Sequence, residues 1–200
     1  MIRLETRNIL LVGVGGQGVL LASELLALGC LGVGLDVKKS EVHGMAQRGG
    51  TVSSHVRFGT RVYSPLIPKG DAHVLVAFEA LEGLRSLDYL REDGLLLVNK
   101  QEIKPTTVTS GMAKYPDDPC SDLAKRHART QIIDGLKLAQ EAGDVRSINT
   151  ILVGAVSRDL PVPESVWVDV IQKNLPKKIV PLNLGAFEVG RSLELSTRGG

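Results

Sequence analysis

An apolar run at residues 9–12 stops at Gly13-Val14-Gly15-Gly16-Gln17-Gly18, and an apolar stretch with helical spacing follows at once: Val19, Leu20, Ala22, Leu25, Leu26 and Leu28. Strand, glycine turn and helix in that order commit the chain to an α/β plan, since the turn must lay a helix back over the strand it has just left. The glycines also carry possible chemistry. Positive φ costs an ordinary residue about 1–2 kcal/mol, and a position without Cβ lets an anion approach the free N–H groups at a helix start. The spacing fits GxGxxG. Val19 and Leu20 stand where a nucleoside-triphosphate loop needs Lys and Ser or Thr, which disfavours metal-assisted triphosphate binding. The same glycines equally suit a tight packing turn with no ligand.

Downstream, residues 31–37 read as a second short strand and 38–50 as a polar, glycine-bearing loop. Residues 51–58 and 61–67 alternate around Gly59-Thr60 and predict a hairpin of exposed-face strands, bordering a parallel core. Buried-strand runs follow at 71–78, 94–99 and 130–133, with a helix at 79–90. Residues 136–142, 148–159, 164–175 and 184–195 have helical spacing, punctuated by Pro161, Pro163, Pro176 and Pro181. No repeat or linker divides the chain, so one domain over 1–200 is expected, with a core from about 8 to 191.

Composition narrows the function. The 200 residues carry 24 Lys plus Arg against 22 Asp plus Glu, a formal charge of +2, without the basic excess of a nucleic-acid binder. The N-terminal apolar run is too short and interrupted for a signal peptide or a spanning helix, so a cytoplasmic protein with no membrane partner is expected. Cys30 and Cys120 are far apart with no CxxC pair, whereas a [4Fe–4S] cluster takes four thiolates; this chain cannot hold one alone. Cys30 reads as buried and Cys120 as part of a Pro-rich loop, neither a nucleophile. His55, His73 and His127 lack ligand spacing, so no metal site is expected. Asp36, 18 residues after Gly18, stands about where a dinucleotide-binding fold keeps its ribose-binding acid, and reads equally as a solvated strand-end acid. Against the dinucleotide reading, the second strand leads into a loop where a crossover helix belongs.

The most unusual stretch is Ser40-Glu41-Val42-His43-Gly44-Met45-Ala46-Gln47-Arg48-Gly49-Gly50, with a carboxylate, an imidazole, an amide and a guanidinium among glycines. Arg48 can fork onto a carboxylate or phosphate, and His43 can donate, accept or titrate near neutral pH. A solvated surface loop is the plainer reading. Taken together, GVGGQG, SEVHGMAQRGG, VSSHVRFG, YSPLIPKGDAHVLVAFEALEGLR, LLLVN and INTILVGAV resemble, in order and over about residues 8–191, the gamma-type domain of the 2-oxoacid:ferredoxin oxidoreductases. The likeness is to the small subunit of the indolepyruvate type, because the pyruvate and oxoglutarate types usually carry Pro-Glu before Arg-Gly-Gly where this chain has Met45-Ala46-Gln47. His73 stands where the family often has Asp.

The resemblance implies a three-layer α/β/α fold, Rossmann-like, with a mostly parallel sheet, antiparallel border strands and a helical C-terminal part. It also implies a subunit of a cytoplasmic hetero-oligomer that decarboxylates an aryl 2-oxo acid, passes the acyl group to coenzyme A and electrons to ferredoxin. Thiamine diphosphate, Mg and [4Fe–4S] clusters would belong to the large catalytic subunit, and the isolated chain would be inactive. Gly13, Gly15, Gly16, Gln17 and Gly18 are then a candidate anion turn, and His43, Gln47, Arg48, Gly49 and Gly50 a candidate loop facing coenzyme A or the partner, with His43 and Arg48 the candidates for a catalytic role. A free-standing NAD(P) or FAD enzyme, and a gamma subunit of a pyruvate or oxoisovalerate enzyme, stay open as alternatives.

Overall fold

Residues 4–43 and 50–194 are described by the computed structural model. Its strands are β1 (Arg7–Val14), β2 (Asp36–His43), β3 (Thr51–Gly59), β4 (Ala72–Ala77), β5 (Leu90–Asn99) and β6 (Thr130–Ile133), joined in one sheet in the order β2-β3-β1-β4-β5-β6. β3 is antiparallel to both its neighbours, while β1, β4, β5 and β6 pair in parallel. β2 and β1 therefore point the same way, with the reversed β3 wedged between them. The antiparallel border is real, but its reversed strand lies one place in from the edge.

The continuous apolar runs follow from burial on both faces. Ile9 and Leu11 face a core shared with α1 (Val19–Gly32), α6 (Ile148–Ser157), α7 (Glu164–Asn174) and α8 (Val180–Ser192). Leu10 and Val12 face a second core with α2 (Ala80–Ser86) and α4 (Pro119–Arg126). The short α3 (Thr106–Thr109) precedes α4, and α5 (Gly135–Glu141) follows β6. The expected C-terminal helices thus stand as α5 to α8.

Three expectations are corrected. The strand at 31–37 is not there: α1 runs on to Gly32, and β2 begins at Asp36 and continues through Lys38–His43, read from sequence as loop. Charge on both faces hid its alternation, and the ladder with β3 overrides that weak local signal. The second hairpin arm at 61–67 is not a strand, and β3 is mostly buried rather than exposed. Residues 61–67 instead cross below the sheet, where Arg57 Nη1 donates to the carbonyls of Ser64 (3.1 Å) and Leu66 (2.9 Å) and Ile67 N–H donates to His55 Nδ1 (3.2 Å). Cys120 lies on a helix rather than a loop: α4 has Pro119 in its first turn and Asp118 as N-cap, accepting from Ser121 N–H at 2.9 Å.

Candidate functional site

α1 covers one face and α2 and α4 the other, so the winding of the chain reverses between β1 and β4. The carboxyl ends of the strands at such a reversal form the crevice where open α/β sheets hold ligands. The glycine turn lies there. Gly50, at the start of β3, is tied to it by a hydrogen bond from Gly15 N–H to Gly50 C=O at 3.0 Å. The backbone of His43, opposite Val52 in the ladder, ends at the same side of the sheet. The structure therefore sets Gly50 and the His43 backbone beside the glycine turn, while the His43 side chain, Gln47, Arg48 and Gly49 lie outside the described residues.

Gln17 fills the crevice. Its Oε1 accepts from Val14 N–H (2.7 Å), and its Nε2 donates to the Phe78 carbonyl (2.9 Å) and to Gln101 Oε1 (3.0 Å). Asn99 Nδ2 donates to the same two oxygens (3.0 and 3.2 Å), and Asn99 Oδ1 accepts from Gly135 N–H (3.1 Å). One amide network thus joins the ends of β1, β4 and β5 to the start of α5. The glycines have distinct reasons. A Cβ at Gly13 would stand 2.8 Å from both Gln17 Oε1 and Phe78 Cβ; Gly18 has φ +79° and a Cβ there would meet the Asn149 amide at 2.8 Å. Gly16, φ +102°, faces open space. Three turn amides, those of Val14, Gly15 and Gln17, already donate within the protein. What remains for an anion is the first turn of α1, whose N-cap Gly18 supplies no side-chain acceptor.

Asn99, Gln101 and Asn149 escaped sequence reasoning as site residues. The available signal was a polar residue closing an otherwise apolar buried strand, as Asn99 closes the LLLV run of β5. Beside them Glu79, fully buried, caps α2: Oε2 accepts from Glu82 N–H (2.9 Å), and Oε1 from Ile103 N–H (3.2 Å) and from the Tyr115 hydroxyl. Burial and the Glu79 carboxylate raise the Tyr115 pKa far above the usual phenol range. Burial also pushes the Cys30 thiol up to about 12, and burial followed by Asp118 raises Cys120. The two thiols belong to the cores on opposite faces of the sheet, so they cannot converge on one ligand.

Asp36 is far from the turn. It opens β2 at the amino end of the parallel strands, level with Gly59, and accepts from Lys38 Nζ (2.7 Å) and Val62 N–H (2.8 Å), which together hold its carboxyl below the usual range. A ribose-binding acid belongs at the other end of that strand, next to β1, where β3 stands instead. The dinucleotide expectation therefore loses both its geometry and its acid.

His55, His73 and His127 each bond to the backbone of another element, while the side chain of His43 lies outside the described residues. His73 Nδ1 accepts from Asn8 N–H (3.2 Å), and His127 Nε2 lies 2.7 Å from the Gly94 carbonyl. Among the described residues no group of three or more His, Cys, Asp or Glu could hold a metal. Burial, then Arg57, lowers the His55 pKa; burial, then Arg91, lowers that of His73. The folded protein thus keeps both rings neutral where the unfolded chain begins to bind protons, so their stabilisation is full above about pH 6.5 and lost as pH falls below it. A melting series from pH 7.5 to 5.5 is expected to show a fall of several degrees, about half of it removed in His55→Gln/His73→Gln. A flat series would show that neither ring is held neutral.

The family model for pyruvate ferredoxin/flavodoxin oxidoreductase matches residues 8–193. The chain is 40% identical over 188 residues to the indolepyruvate oxidoreductase subunit IorB of Thermococcus kodakarensis, covering 92% of this chain and 93% of that one. It is 40% identical over 195 residues to the IorB of Archaeoglobus fulgidus, covering 96% of each. Among solved structures it is similar to a 2-oxoglutarate:ferredoxin oxidoreductase from Magnetococcus marinus with 2-oxoglutarate, coenzyme A and succinyl-CoA bound, at TM-score 0.71 and 20% identity over 96% of this chain and 32% of that one. That likeness concerns the fold. No described helix is long and apolar enough to cross a membrane.

Proposed function

Because the chain belongs to the pyruvate ferredoxin/flavodoxin oxidoreductase family, we propose that it is the small, cluster-free subunit of a 2-oxoacid:ferredoxin oxidoreductase of the indolepyruvate type. The likeness to the IorB subunits over nearly the full length of both chains carries this reading. The enzyme would convert an aryl 2-oxo acid and coenzyme A to an aryl-acetyl-CoA and CO2, with electrons going to ferredoxin. The large partner subunit would bear thiamine diphosphate, Mg and the [4Fe–4S] clusters, which supply the decarboxylation and electron-transfer chemistry. The placement of Cys30 and Cys120 in the cores on opposite faces of the sheet supports that division between the subunits.

The chain's own contribution would be a wall of the crevice, tied by the amide network of Gln17, Asn99 and Gln101. The first turn of α1, offering N–H groups, together with Arg48, would bind an anionic group: a coenzyme A phosphate, or an acidic segment of the large subunit. Co-expression with the large subunit, followed by anaerobic purification, is expected to give a brown complex that reduces a dye with indolepyruvate only when coenzyme A is present. In that complex, Arg48→Ala should raise the KM for coenzyme A about 10–100-fold, the loss of one charge-assisted contact, or release the small subunit. Unchanged KM and unchanged assembly would remove both roles from Arg48. A colourless chain recovered alone and stabilised by NAD(P) or FAD would overturn the family-based reading of function.

A further inference from the structure

β2 is an edge strand eight residues long, in unbroken register with β3 from Asp36 to His43 and without proline. Long regular edges are templates for another strand, and soluble proteins usually blunt them with a bulge, a proline or an unbalanced charge. Here the lysines are neutralised within the chain: Lys38 by Asp36 at 2.7 Å, and Lys39 by Glu24 at 2.5 Å and Glu41 at 2.9 Å. Val42 on the same strand is 53% exposed.

From this edge we infer that two copies of the chain pair antiparallel through β2, about a two-fold axis at Ser40. Symmetry limits the choice. A two-fold antiparallel pair keeps each face continuous, so residues opposite one another must share a face, and the residue on the axis meets itself. Centring on Lys39 would oppose two lysines, and centring on Glu41 two glutamates. Centring on Ser40 places Lys39 opposite Glu41 of the second copy and Glu41 opposite its Lys39, so four charges alternate around the axis. On the other face, the Lys38 stem falls opposite the exposed Val42.

The overhanging helix agrees. Glu24 of α1 reaches Lys39, so α1 lies over this edge, and Glu24 is the one charged residue among its fourteen positions. Leu20, Leu21 and Leu28 are only partly buried and Leu31 is 50% exposed. The sheet, α6 and α7 cover the rest of α1 within the chain, so Glu24, Leu31 and Gly32 are the positions it leaves exposed. The two-fold axis at Ser40 brings a second α1 alongside.

Sedimentation velocity on the full 200-residue chain is expected to show a reversible dimer. Lys39→Glu and Glu41→Lys should each weaken self-association about tenfold, by setting like charges opposite one another, and an equimolar mixture of the two should restore it. Recovery on mixing could not come from misfolded variants. In a Cys120→Ser background, Ser40→Cys should cross-link under oxidation, because residues facing across the axis have Cα atoms about 4.5–5.5 Å apart, within disulfide reach; Val42→Cys should not. A wild-type chain monomeric at about 100 µM, between the micromolar and millimolar affinities that bracket a weak contact, would overturn the dimer. So would a dimer that both charge variants leave intact, which would place the contact elsewhere.

Discussion

Gly190→Ala is expected to cost at least about 3 kcal/mol, a large share of the roughly 5–15 kcal/mol that holds a domain of this kind together. α6 and α8 cross in backbone contact. A Cβ built at Gly190 would stand 2.0 Å from the Ile151 carbonyl oxygen and 2.9 Å from Ala155 N, and one at Gly154 2.3 Å from the Phe187 carbonyl oxygen. No rotamer change relieves a clash with main chain. The helices must separate, and Ile151, Ala155, Ala186 and Phe187, all buried around the crossing, lose their packing together. The control is on the same helix. Gly185 has nothing within 4 Å of its added Cβ, so Gly185→Ala should gain up to about 1 kcal/mol of helix propensity. Urea unfolding of the three proteins is expected to place the midpoints in the order Gly185→Ala, wild type, Gly190→Ala. A Gly190→Ala midpoint equal to that of the wild type would mean the two helices pack further apart than this.

Strands buried on both faces announce themselves, and so β1, β4 and the 94–99 part of β5 could be read from their apolar runs, whereas β6, at the sheet edge with Ile132 43% exposed, showed only its Ile132-Ile133 pair. β2 could not be read in this way. Its residues Asp36, Lys38, Lys39 and Glu41 are acceptable in a strand because they pair along it, Lys38 with Asp36 and Lys39 with Glu41, and because Glu24 from α1 and Val62 N–H from the crossing loop reach them. α4 was hidden differently, since Asp118-Pro119 is both a turn signal and a helix start, and the choice between them depends on Leu123 finding the second core. At the candidate site the glycines showed where a turn must be, but not what fills it. The partners of Gln17 lie 61 and 84 residues away, at Phe78 and Gln101, and no local pattern records that contact.

That contact defines the second large effect. Gln17→Glu keeps the size and the Oε1 acceptor for Val14 N–H, but replaces the donor Nε2 by an oxygen facing two acceptors, the Phe78 carbonyl at 2.9 Å and Gln101 Oε1 at 3.0 Å. An ionised carboxylate in that position should cost about 2–4 kcal/mol. Protonated, the same group has one O–H to donate to Phe78, so folding raises its pKa above that of the unfolded chain. The sign follows from that. The folded variant binds more protons between the unfolded and the raised value, so its deficit against wild type is small below the unfolded carboxyl pKa near 4.3 and grows to full size as pH rises through the raised one. This is the reverse of the histidine effect, which weakens the wild type in acid. Gln17→Ala should instead show a deficit that does not vary with pH, because it removes the same bonds without adding a charge. Melting both variants beside wild type at pH 5 and pH 8 separates the cases: a Gln17→Glu deficit equal at the two pH values would mean that the amide does not donate into the crevice, and that the turn is held by its glycines alone.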